Sequence, residues 1–177
     1  MYRLFALLLA GLGLLTGCGT AETSVGAERS VGPAAIAAPT DDVVLTISGS
    51  VERPNADGRV MADRAGLESV GPVTATVFEP FVSAEMEFTG VSLAAVLQAA
   101  GVADDATLVL RALDDYEVSF TMAELVEDSA LLVTRQADEP IAVADGGPIR
   151  VVFTDPDSPL GRNLALWIWS LAEIEVE

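Results

Sequence analysis

The chain predicts an α+β fold, a single domain of mixed β-sheet with short helices. Three observations lead there. Short β-branched and apolar runs recur from Val43 to Val176, and most are closed by Gly, Pro, Asn or Asp. The helical patterns between them are brief. Strands and helices also fail to alternate in the strict strand–helix–strand rhythm of a doubly wound parallel sheet.

Each element follows from its own residues. Val43 to Val51 is rich in β-branched residues and reads as the first strand, closed by the turn formers Arg53-Pro54-Asn55 and Asp57-Gly58. Ala62 to Val70 reads as a short helix, and Val73 to Phe78 alternates Val and Thr as a strand does until Pro80 stops it. Met86 to Thr89 is a short extended piece ahead of Gly90. Ser92 caps a helix that places Leu93, Val96, Leu97 and Ala100 on one face and ends at Gly101. Thr107 to Leu113 and Tyr116 to Phe120 read as a hairpin turning on Asp114-Asp115. Thr121, with Glu124 three residues on, forms a capping box for a brief helix, Met122 to Val126. Leu131 to Arg135 and Ile149 to Thr154 are apolar enough for central strands, with turns at Asp138-Glu139-Pro140 and Asp145-Gly146-Gly147-Pro148 between them. Leu164 to Leu171, which carries both tryptophans, predicts a packing helix. Ile174 to Val176, alternating with glutamates, predicts an edge strand.

Ahead of the domain, Met1-Tyr2-Arg3 supplies one positive charge and Leu4 to Leu15 is an apolar run too short to span a hydrocarbon core of ~30 Å. It ends in Leu15-Thr16-Gly17-Cys18, which resembles a bacterial lipoprotein signal, cut before the cysteine so that the new N-terminal thiol takes a lipid. A retained anchor helix is the alternative, weakened by Gly11, Gly13 and Gly17. Residues 1–17 are thus expected as signal peptide, 18–41 as a lipidated flexible linker rich in Ala, Gly, Ser, Thr and Pro, and 42–177 as the domain. The expected location is extracytoplasmic, lipid-anchored through Cys18 to the membrane, on the periplasmic face or the cell surface. The leader has no twin arginine, which predicts export as an unfolded chain and acquisition of any cofactor outside the cytoplasm.

Composition narrows the chemistry. The 177 residues include one cysteine, no histidine and no lysine, so once Cys18 is lipidated no thiolate, imidazole or amine remains for catalysis or for soft metal ligation. A net charge of −18, with 27 acids, leaves no basic patch for phosphates, and nucleic acid is excluded as a partner. The acidity suits neutral or cationic partners, or reflects the composition of the genome alone. Asp155-Pro156-Asp157-Ser158 echoes part of a calcium loop but lacks its closing glutamate, and it reads as a solvated turn. Asp104-Asp105 and Asp114-Asp115 read as turns rather than as acid–base pairs. Trp167 and Trp169, two apart on a helix, would face different ways. One of them could then stand partly exposed beside Phe78, Phe81 or Tyr116. No catalytic set and no metal site is assigned.

Phe88-Thr89-Gly90-Val91-Ser92-Leu93, running into Val96-Leu97-Gln98-Ala99-Ala100-Gly101-Val102, resembles a segment of the sulfite-oxidase-type molybdopterin-binding oxidoreductase domain. Asp114-Asp115-Tyr116, Gly146-Gly147-Pro148-Ile149-Arg150-Val151-Val152, Trp167 and Ile174-Glu175-Val176 follow in the order of that family. The resemblance implies its fold over roughly residues 43–177 and a pterin groove near Tyr116, Arg150 and Arg162. It also implies a molybdenum-binding cysteine ahead of the Gly90-Val91 segment, yet Thr74 to Glu87 contains none. Gly161-Arg162-Asn163 resembles the family's phosphate stretch, with Leu166 where a basic residue is usual. The chain is also similar to small exported single-domain relatives with the same gap. The leading expectation is an extracytoplasmic lipoprotein whose degenerate molybdopterin-binding domain is a non-redox module for a small molecule or an envelope protein. Its ligand-binding residues would be Tyr116, Arg150 and Arg162. No cofactor is expected, and molybdopterin enters by the resemblance alone. A molybdenum-cofactor oxidoreductase without a cysteine ligand and a structural envelope lipoprotein stay open as alternatives.

Overall fold

A computed structural model describes residues 34–177, so the expected signal peptide, Cys18 and most of the expected linker lie outside the described residues. Ten strands form two five-stranded sheets. The first is built from β1 (Leu45–Gly49), β2 (Val60–Ala62), β5 (Thr107–Ala112), β6 (Glu117–Thr121) and β10 (Leu171–Val176), in the order β2-β1-β10-β5-β6. The second holds β3 (Val73–Glu79), β4 (Ala84–Ser92), β7 (Ala130–Gln136) and the two-residue β8 (Glu139–Pro140) in that order, and β9 (Arg150–Phe153) also pairs with β7. Three short helices, α1 (Arg64–Glu68), α2 (Leu93–Ala100) and α3 (Met122–Glu127), complete the α+β architecture that the strand and helix patterns predict. One apolar core draws on both sheets and all three helices, with Phe88, Phe153, Leu45, Leu67, Leu97 and Met122 fully buried.

Local chemistry explains the elements that come out as read. The Ser92 side chain accepts a hydrogen bond from the Ala95 N–H, and Gly101 closes α2 in the left-handed conformation at φ 77°. The Thr121–Glu124 capping box forms in both directions. β5 and β6 pair as a hairpin from Thr107↔Thr121 to Arg111↔Glu117.

Three expectations are corrected. Leu164 to Leu171 is not a helix: only Leu164–Leu166 turns, as a 3-10 segment, and the chain then bends at Trp169 and Ser170, where φ is 51°, before entering β10. Its backbone groups bond across the fold, since the Val151 N–H donates to the Ile168 carbonyl, Leu171 to Ile149 and Ser170 to Gly146. Ile174 to Val176 is not at an edge. β10 lies between β1, parallel to it, and β5, antiparallel to it. The end of the linker, finally, is anchored: Ile36 is buried and Asn55 donates to the carbonyls of Ile36 and Ala37. The Thr40 and Asp41 N–H groups donate to the Asp63 carboxylate. Among the described residues no helix is long and apolar enough to cross a membrane.

Candidate functional site

β7 is the axis of the second sheet, and it positions a buried cation. Val133 of β7 pairs with Gly90 of β4 on one side and with Arg150, the first residue of β9, on the other. The arginine is 2% exposed. Its guanidinium carbon lies 4.5 Å from the Phe88 ring centroid and 5.0 Å from that of Trp169, within cation–π range of both. Neither Nε nor Nη2 has a hydrogen-bond partner, and the buried Trp169 Nε1 has none. Burial pulls the Arg150 pKa below the usual arginine range, opposed by the charge of Glu79. The group stays cationic at neutral pH regardless.

Glu79, at the end of β3, is fully buried. Its Oε2 accepts from the Val82 N–H at 2.8 Å and its Oε1 has no partner. Strand alternation gives the signal that sequence reading overlooked, because Val77 and Glu79 share the inward face of β3. The two opposite charges do not form an ion pair. Those found among the described residues are Arg111 with Glu117 and Glu173, and Arg135 with Glu68.

Beside Arg150 lies an open cavity of ≈ 450 Å³, walled by Val82, Met86, Gln136, Ile141, Asp145 and Trp169. Trp169 also walls a second hollow of ≈ 280 Å³, with Phe81, Tyr116, Trp167 and Ile168. Phe81 meets the Trp169 ring edge-on, with centroids 5.8 Å apart. Gly146 lets the indole lie against the backbone: its φ is 86°, and a Cβ there would stand 2.8 Å from Trp169 Cε3.

The three expected ligand residues are therefore separated. Arg150 faces the larger cavity. Tyr116 lies beyond Trp169 at the smaller one, where its hydroxyl donates to the Ala165 carbonyl at 3.1 Å. Arg162 is exposed in the loop after β9, lines neither hollow, and spends its Nε–H on the Asp157 carbonyl. Trp167 is buried against Phe153 and donates through Nε1 to the Gly161 carbonyl, so the partly exposed indole is Trp169. Asp155 and Asp157 are exposed, and an Asx turn from the Asp157 N–H to Asp155 Oδ1 accounts for that segment.

Two antiparallel-rich sheets sharing one core, with capped short helices and a cavity at a buried arginine, define an α+β domain. Residues 61–164 match the model of the oxidoreductase molybdopterin binding domain, and the chain belongs to that family. No curated protein matches the chain. The matched stretch holds Glu79, Phe88 and Arg150, whereas Trp169 lies beyond it.

The residues present do not fit the metal end of a molybdopterin cofactor. Molybdenum held by a protein thiolate needs a soft donor, and residues 34–177 contain no cysteine. Among the described residues no group of three Cys, His, Asp or Glu side chains could hold a metal ion. On the cavity wall Arg150 is the one basic side chain and Asp145 the one acid, and Asp145, like Glu79 whose charge acts on Arg150, is a hard oxygen donor. No redox step is derived from this site.

Proposed function

We propose that the protein is a lipid-anchored, extracytoplasmic member of this family whose domain binds a small molecule in the Arg150 cavity and performs no molybdenum redox chemistry. One observation carries the reading. A guanidinium held between Phe88 and Trp169 belongs to a residue that lines an open cavity, in a domain without the thiolate that the family's metal chemistry uses. A concave pocket that joins the apolar Val82, Met86, Ile141 and Trp169 to the polar Gln136, Asp145 and Arg150 suits a small ligand better than the flat face of a partner protein. The leader ending at Cys18 supports the membrane tether, and the missing twin arginine supports export without a preloaded cofactor.

Molybdenum and pterin content of protein purified from its native envelope tests the non-redox assignment. Trace metal is expected, and one molybdenum per chain would overturn it. Cys18→Ser tests the tether: the variant should move from the membrane to the soluble fraction, and full retention in the membrane would refute lipid anchoring through that residue.

A further inference from the structure

We propose that the free edge of β3 pairs with β3 of a second copy of this chain, antiparallel and with Thr76 opposite Thr76, so that the second sheet continues from one molecule into the other. Pairing at this edge is independent of any ligand in the Arg150 cavity.

Hydrogen-bond direction shows that the edge is open. The Glu87 carbonyl accepts from the Ala137 N–H at 3.1 Å and the Thr89 carbonyl from the Thr134 hydroxyl at 3.3 Å, so both carbonyls point toward β7. Across the ladder from β4 to β3, Glu87 pairs with Thr76 and Thr89 with Thr74. A residue opposite one that faces away faces away itself, because the two form a non-hydrogen-bonded pair of the antiparallel ladder. The N–H and C=O groups of Thr74 and Thr76 therefore point out of the sheet at its rim, and the two-residue period adds those of Phe78. None of these backbone groups has a hydrogen-bond partner among the described residues, and β3 pairs with β4 alone. All three residues are exposed.

The other rims are blunted. β2 and β8 have three and two residues, β6 carries the exposed Glu117, and the Ile168 carbonyl covers β9 at the Val151 N–H. β3 has seven residues, and Ser69 to Phe78 holds no charge. A long, neutral rim rich in Val and Thr is the form that accepts another strand. Charge and length select the occupant. Two chains of net charge −18 repel over most of their surface, and the neutral rim is where they can approach. A second copy brings the same neutral strand, bounded by the same Pro72 and Pro80. With Thr76 on a two-fold axis, Thr74 meets Phe78 of the second copy, and the outward groups of all three residues are satisfied by about six hydrogen bonds. Each Phe78 ring, 45% exposed, then lies over Thr74 of the other copy. The rim is only about 24 Å long, so the pair is weak in solution. The tether through Cys18 proposed above would hold copies on one membrane and strengthen it.

Sedimentation equilibrium of the full-length protein in detergent measures the self-association, and amide exchange followed by NMR locates it. A dimer with a dissociation constant on the order of 0.1 mM is expected. The Thr74, Thr76 and Phe78 amides should gain protection that rises with protein concentration, while those of Ala75 and Val77, which face β4, should not change. Thr76→Pro removes the central outward N–H, a change that an edge strand tolerates, and should weaken association by about 10-fold or more. Placed in the Cys18→Ser chain as its only thiol, Thr76→Cys should form a disulfide between chains on oxidation, and Leu113→Cys, at an exposed turn, should not. Should Thr76→Pro not fold, the exchange pattern and the disulfide decide. A chain still monomeric at about 1 mM, a dimer whose protected amides lie elsewhere, or no disulfide through Thr76→Cys would each refute the pairing. So would protection of β3 that is independent of concentration, the result that pairing with the chain's own N-terminal segment gives. The tether and the edge fail separately, because dimerisation in detergent does not need the lipid.

Discussion

The Asp63 carboxylate accepts hydrogen bonds from the Gly66 N–H at 2.7 Å, where it caps α1, and from the Thr40 and Asp41 N–H groups at 2.7 and 3.1 Å, where it holds the incoming chain. Those bonds, from Gly66 first and then Thr40, hold its pKa below the usual aspartate range against the effect of burial. At Glu68 burial pushes the pKa up, but hydrogen bonds from Arg135 and Thr134 outweigh it and the net shift is down. Glu124 is lowered by the Thr121 backbone and hydroxyl of its capping box. A carboxylate with a depressed folded pKa contributes stability that is complete above its unfolded value and disappears as pH falls through the folded one. The urea midpoint should therefore hold down to about pH 5 and fall steadily below about pH 4.5. Asp63→Asn should lower the midpoint at pH 7 and flatten part of that acid slope, and an unchanged slope would refute the assignment. Gly146→Ala forces a side chain into the left-handed region and against the Trp169 ring, so it should destabilise by about 1 to 3 kcal/mol and alter tryptophan emission. Among residues, Arg150 was singled out by the resemblance of its Gly-Gly-Pro-Ile-Arg setting to the family, and the structure places it at the larger cavity. Its rings and Glu79 were not, since they lie at least 60 positions away or across the Trp169 turn, beyond the reach of any local pattern.

Most elements with local signals were read to within a residue or two, but Met86 to Thr89 is only the middle of β4, and β2 was not read, its Ala62 falling in the expected helix. α2 needed only its apolar stripe, the Ser92 cap and Gly101, all contained in ten consecutive residues. Ser92→Ala should cost about 1 kcal/mol, measurable by chemical denaturation, because the Ala95 N–H loses its acceptor. Leu97→Ala in the same helix should cost about 2 to 5 kcal/mol, because its side chain is fully buried in the shared core. The segment holding the two tryptophans was misread because helical spacing and an irregular buried run look alike over a few residues. What decided it was the supply of partners, with Ile149, Val151 and Gly146 offering backbone groups that outcompete bonds within a helix. β10, read as an edge from its glutamates, is central, with Ile174 inward while Glu173 and Glu175 reach solvent on the other face. Its amides should consequently exchange with solvent as slowly as those of Leu108 and Leu110 in β5, and more slowly than those of β3 at the edge of the second sheet.

At the scale of the molecule, 27 acids against 9 arginines make self-repulsion a general destabilising force, and the ion pairs among the described residues are few and partly exposed. Raising sodium chloride from about 0.01 to about 1 M shortens the screening length from about 30 to about 3 Å. Screening should thus raise the thermal midpoint, on the order of 5 °C, rather than lower it. A fall would mean that the ion pairs outweigh the repulsion. The sequence alone determined which chemistry the domain lacks, because a missing histidine, lysine or second cysteine needs no geometry to interpret. It also set the α+β class and most element positions, since side-chain period, caps and turn formers act over a few neighbouring residues. Only the tertiary structure placed β10 at the centre, docked Ile36 to Asp41 on the domain, and set Arg150 as a buried cation between Phe88 and Trp169. Desolvation and strand order arise when distant segments meet, and no window along the chain contains them.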